Sequence, residues 1–245
     1  MGSQCHDGRV AEEFEFRDLS GAVFWGVNLE GATFRDVDLT GARFSHSRLV
    51  DVVIDAEIDR LVVNGVDVTA YVNGRDEWFA LRSRIRPADA ASMREGWYVI
   101  SDAWAAAIER AHGLGEEQCH ASVEGEWSFV QTLRHLVFAT DKWFTVPILG
   151  RTFHPIGIPN SGSADFGWPG IDVTASATFD EAVAAWQDRS RQLRQYIDVV
   201  EPAALTATVD VLENGATPVL DCIGVVFEEH FQHLRYALRD LDRLA

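Results

Sequence analysis

The stretch GATFRDVDLTGARF (residues 31–44) puts a large apolar side chain at every fifth position, Phe34, Leu39 and Phe44. A small or β-branched residue precedes each by two, at Ala32, Val37 and Ala42. Followed in both directions, the phase takes in Phe14, Leu19, Phe24, Leu29, Phe34, Leu39, Phe44, Leu49 and Ile54, with Phe and Leu alternating through the first eight. The small position continues at Ala22, Val27, Ser47 and Val52 and fails at Glu12 and Arg17, in the first two units. Glycine follows the large residue by two at Gly21, Gly26, Gly31 and Gly41. A period of five fits neither a helix, with about 3.6 residues per turn, nor a strand, with a repeat of about two. It fits a square coil to which each face gives one inward residue, with successive turns stacked about 4.8 Å apart like neighbouring strands.

These units resemble pentapeptide repeats, over residues 12–62. The resemblance implies a short right-handed quadrilateral β-helix. Some family members are long acidic rods that mimic duplex DNA. Here residues 1–60 hold 12 acids and 6 bases, so the sign is right. The length is not. Two turns stack to roughly 10 Å, while DNA carries a charge every ~1.7 Å of axis, so the coil would span only a few base pairs. A small scaffold beside the next domain is the expectation. Such a short coil has few stacked neighbours, so a homodimer, through the bundle or through the coil's apolar end, is expected too.

Past a linker, residues 63–88, the period becomes helical, and residues 89–245 read as a four-helix bundle, an α+β chain overall. The first helix, roughly 89–112, carries the stripe Trp97, Ile100, Trp104, Ala107/Ile108 and Ala111, with stop signals at Gly113 and Gly115. The second starts at a capping box, Ser128 to Gln131, and runs to about Leu149. A further box, Thr178 to Glu181, starts the third, which runs to about Val200. The fourth runs from near Pro218 to the end, with Ile223, Phe227, His230, Leu234, Leu238 and Leu241 as its stripe. Residues 150–177 have no period, three prolines and five glycines; segments of this length act as lids or binding loops, or are disordered. Phe153, Phe166 and Trp168 argue against disorder.

The composition narrows the function classes. The 245 residues hold 38 acids and 21 bases, a formal charge of −17, which opposes binding to nucleic acid. Only one base, Lys142, is lysine. Cys5, Cys119 and Cys222 are scattered without a CxxC, which argues against a disulfide framework or a cysteine zinc site and fits a reducing compartment. There is no apolar signal segment, and no run reaches the ~18 apolar residues of a membrane helix. A cytoplasmic protein with no membrane partner is expected.

Chemistry concentrates on the second and fourth helices. Glu229 and His233 are four apart and share a helix face. His135 sits on a semi-apolar face of the second helix. Together these three form a set that Zn, Ni or Fe(II) accepts, with positions left for water or substrate. A carboxylate that pairs with an arginine, and histidines that only pack, would leave the same pattern. His154 in the long loop could reach the mouth of such a site. Asp102, Trp104 and Trp97 on the first helix could line its pocket, although core packing accounts for the tryptophans equally well. Arg134 points to a different face and is expected in solvent.

The stretches EGEWSFVQTLRHLVFATDKWF (residues 124–144), FHPIGIP (153–159) and FEEHFQHLRYALRDL (227–241) resemble the DinB-like (DinB_2) superfamily, in particular an actinobacterial subgroup with N-terminal pentapeptide repeats. VNGVDVTAYV (63–72) is similar to the linker of that subgroup. The resemblance implies an up-down-down-up bundle that holds one divalent metal through His135, Glu229 and His233. Glutamate in the first position of the last-helix pair resembles the mycothiol-dependent maleylpyruvate isomerase-like branch. His230, three before His233, is an alternative to Glu229 and leaves the second ligand open. Thiol transfer or thiol-dependent isomerisation of a small electrophile, with mycothiol as cosubstrate, is the implied activity. The alternative is a non-enzymatic scaffold whose coil and bundle bind a partner.

Overall fold

The computed structural model describes residues 12–14, 17–35, 37–160 and 167–245; Cys5 and Phe166 lie outside them. Residues up to Ile54 and from Asp55 onward form two compact units.

In the first unit the five-residue phase is written into the backbone as turns. Gly21, Gly26, Gly31, Gly41, His46 and Asp51 all have positive φ, at multiples of five residues. Glycine reaches that region without strain, which is why it recurs there. Every tenth residue closes a hydrogen-bonded turn: Ala22 N–H to Leu19 O, Ala32 N–H to Leu29 O and Ala42 N–H to Leu39 O, at 2.9–3.0 Å. Side chains brace the same corners, since Asp18, Asn28 and Asp38 each accept from the backbone N–H two residues on. The expected β-helix is not seen: among the described residues 12–54 no strand pairs with another. The large apolar residues stay open to solvent, Phe24 at 58% and Phe44 at 63%. The physical reason is length. A solenoid is stabilised by contacts between stacked neighbours, and nine units supply little more than two turns.

The second unit opens with an antiparallel hairpin, β1 (Val62–Val63) and β2 (Val66–Asp67). Asn64 and Gly65 both have positive φ, the mirror-image turn that matches strand twist. Two short helices follow, Thr69–Asn73 and Phe79–Arg82, so the stretch expected as a linker carries structure of its own. Arg82 is buried, pairs with Asp55 and Asp76, and ties this segment to its unit.

Four long helices make the bundle: α1 (Ala90–Leu114), α2 (Phe129–Thr140), α3 (Phe179–Val199) and α4 (Val219–Leu244). The capping boxes Ser128–Gln131 and Thr178–Glu181 both form. A second short hairpin, β3 (Thr208–Asp210) with β4 (Ala216–Pro218), joins α3 to α4. Contacts set the directions. Trp97 stacks on Phe227 and Arg110 pairs with Asp242, so α1 and α4 run parallel. Phe129 meets Phe179 and Phe144 meets Tyr196, so the α2 segment and α3 run parallel. Tyr98 bonds Asp198 while His112 meets Phe179, so α1 and α3 are antiparallel. Trp97, Trp104, Leu133, Leu136, Ile223, Phe227 and Phe231 fill the centre. Gly96 allows the close approach of α1 and α4, because a Cβ there would stand 2.9 Å from Arg84 O and 3.0 Å from the Phe227 ring.

No helix among the described residues is long and apolar enough to cross a membrane.

Candidate metal centre

His135 lies seven residues into α2, and the Ser128 cap fixes where that helix begins. Glu229 and His233 are one turn apart on α4. The two helices bring one donor atom from each of the three to within 4.8 Å of the others. Glu229 Oε2 stands 3.3 Å from His135 Nε2 and 3.4 Å from His233 Nε2. Two ligands about 2.1 Å from a tetrahedral ion stand about 3.4 Å apart, so the spacing suits one. His135 is 2% exposed, His233 19% and Glu229 28%, so the centre opens on the α4 side.

Protons support the same reading. His135 Nδ1 lies 3.0 Å from the carbonyl of Ile158. A carbonyl only accepts, so Nδ1–H donates and Nε2 is the nitrogen that faces the Glu229 carboxylate. A ring nitrogen facing a carboxylate oxygen calls for a cation between them, either a proton or a metal ion. An outer partner on Nδ1 is also how metal-binding histidines are oriented. Burial alone would push the Glu229 carboxyl up, but the hydrogen bonds and charges of His135 and His233 outweigh it. The carboxyl is held well below the usual carboxylate range, ready as an anionic ligand.

His230 is placed elsewhere. Its Nδ1 donates to Val226 O at 2.8 Å and its Nε2 accepts from Trp186 Nε1 at 3.2 Å, so both nitrogens are committed within the core. Burial holds its pKa down to about 4. Trp104 is a core residue whose Nε1–H donates to His230 O. Trp97 packs edge-on against His230. Asp102 is exposed, while Trp104 is buried in the core. The two are two residues apart on a helix and so face roughly opposite ways.

The long loop comes to the centre through residues whose role the sequence did not reveal. Arg134, expected in solvent, is half-buried: Nε donates to Ile156 O and Nη2 to Ala175 O, each at 2.7 Å, and its carbonyl accepts from Ile158 N–H. The carboxylate of Asp141 is fully buried, takes two bonds from Arg189 and a third from the backbone N–H of His154. Val146 N–H closes a wide turn onto Asp141 O just beyond α2. Phe138, Phe153 and Trp168 form a small apolar cluster beneath the loop. His154 therefore belongs to the Asp141 clamp and not to the three-residue set. Trp127, which precedes the Ser128 cap, packs its ring on both His135 and His233. Cys119 and Cys222 are free and buried, their thiols pushed up to about 11, first by burial.

Burial, and then the Arg189 charge, lower the pKa of His154 against the opposing pull of Asp141 and Asp188. Below about pH 6.5 the unfolded chain therefore takes up a proton here that the folded chain resists, so stability falls as pH falls. His154→Gln should flatten the decline in Tm from about pH 7 to about pH 5 relative to the unaltered protein. An identical decline in both would contradict this.

The DinB superfamily model matches residues 100–237, which include all three donors, and the pentapeptide-repeat model matches residues 18–53 in eight copies. No curated protein and no solved structure matches the chain. The span of the first match, over helices that converge on one His–Glu–His cluster, assigns the chain to the DinB superfamily, with pentapeptide repeats at its N-terminal side.

Proposed function

We propose that the protein holds one divalent ion, Zn, Ni or Fe(II), on His135 Nε2, the Glu229 carboxylate and His233 Nε2, and uses it to act on a small electrophile with a low-molecular-weight thiol such as mycothiol. The observation that carries the reading is the convergence of His135 Nε2 and His233 Nε2 on one oxygen of the Glu229 carboxylate, at 3.3 and 3.4 Å. Three protein donors leave coordination positions open, the arrangement of catalytic metals as opposed to structural ones. An ion bound there lowers the pKa of a thiol, so that thiolate is present at neutral pH. The chain's own part is to orient and to limit access. Ile158 fixes the proton of His135 on Nδ1, Glu229 supplies the negative charge, and the buried side of His135 keeps water from one flank.

The test is elemental analysis of the purified protein, followed by Co(II) loading and thiol addition. About one metal per chain and a thiolate-to-cobalt absorption band on adding mycothiol are expected. Metal that binds and raises Tm but gives no such band, and no thiol-dependent turnover of an electrophile panel, would leave an ion that only pins α2 to α4. No metal after Zn, Ni and Co are offered would overturn the whole reading.

A further inference from the structure

We infer that Trp127 is a positioning residue of the metal centre, setting the ring planes of His135 and His233 so that both present Nε2 to one point. The inference rests on the metal reading above. The three rings form a closed set: Trp127 to His135 4.6 Å, His135 to His233 4.7 Å and Trp127 to His233 5.9 Å between centroids. The indole lies at 17° to the His233 ring, a stacked arrangement. The two histidines need unequal help. His135 has the Ile158 carbonyl on its Nδ1. Among the described residues no carbonyl plays that part for His233, whose ring instead lies nearly parallel to the Trp127 indole, 5.9 Å away between centroids.

Trp127 is itself held from both sides. Ser128 is locked in the capping box with Gln131. On the other side the Glu126 carbonyl accepts from the Ser122 hydroxyl, and its carboxylate takes Arg239 of α4. An indole has only two side-chain torsions, so a pinned backbone leaves it little freedom. It thus ties a ligand of α2 and a ligand of α4 to one rigid slab. Partners outside the coordination set that orient ligands are worth about 10–100-fold in metal affinity.

Co(II) titration, followed by its visible absorption, tests this. Trp127→Ala should weaken Co(II) binding by about 10–100-fold and change the position and intensity of the bands, because the ligand geometry relaxes. Trp127→Phe, which keeps a flat ring, should recover most of the affinity and the band shape. Trp127→Leu retains apolar bulk without the plane and should behave like alanine, which covers an alanine variant that does not fold. A tryptophan that merely fills space would lower Tm in Trp127→Ala and Trp127→Leu and leave affinity and spectrum as in the unaltered protein; that result overturns the inference while the metal reading stands. No cobalt bands in the unaltered protein would overturn both.

Discussion

Asp141→Ala is expected to melt about 10 °C below the unaltered protein, and to release the long loop as it does so. The Asp141 carboxylate has no solvent exposure, and its oxygens accept from Arg189 Nε at 2.7 Å, Arg189 Nη2 at 3.2 Å and His154 N–H at 2.6 Å. Removing one partner of a buried pair leaves the other charge in a low-dielectric site, at a cost of about 3–5 kcal/mol. For a chain of this size each kcal/mol moves Tm by about 2–4 °C. Arg189 keeps Asp188 on Nη1, which places the loss toward the lower end of that range. The double variant Asp141→Leu/Arg189→Met removes both charges and should recover much of the loss. Thermal melts of the three proteins decide it. A single variant that melts within about 2 °C of the unaltered protein would mean that the pair contributes no more than an exposed one.

The second large effect is loss of metal. His135→Ala and His233→Ala should each reduce affinity by more than the about 10–100-fold that an orienting partner is worth, because each deletes a donor outright. His230→Ala is the discriminating contrast. Its ring nitrogens are committed to Val226 O and Trp186 Nε1, so this variant should keep the metal and lose stability through the cavity and the orphaned indole N–H. Elemental analysis of these three variants and of Glu229→Ala, after dialysis against Zn, gives the answer. Metal lost in His230→Ala and kept in Glu229→Ala would exchange the two ligands and overturn the assignment of Glu229.

The bundle was legible because its signals are local. Capping boxes at Ser128 and Thr178 depend on residues three apart, and both form. Glu229 and His233 are legible as a pair because a helix places residues four apart on one face. The N-terminal unit was legible in phase and not in pairing. Its period of five reappears as positive φ at Gly21 through Asp51, a property of each short unit. A β-helix requires contact between successive turns, and contact of that kind is absent from any one unit's sequence. Asp102 and Trp104, two apart on a helix, face roughly opposite ways, one into solvent and one into the core. Arg134 was misplaced because its partners, Ile156 O and Ala175 O, are backbone atoms of a loop without periodicity. Trp127 lies eight residues before His135 and outside the helix, so only the fold brings it to both histidines.

The hydrogen bond from His135 Nδ1 to Ile158 O joins a ligand to the same loop that Arg134 and Asp141 hold down. An ion bound on the three donors would therefore be linked to the order of residues 153–160, and linkage is reciprocal. An ion that tightens His135 against Ile158 protects the loop's amides from exchange. Anything that docks on the loop and draws Ile158 away weakens the ion by the same factor. The loop would in this sense be a handle through which a molecule docked on it, without touching the ion, set how firmly that ion is kept.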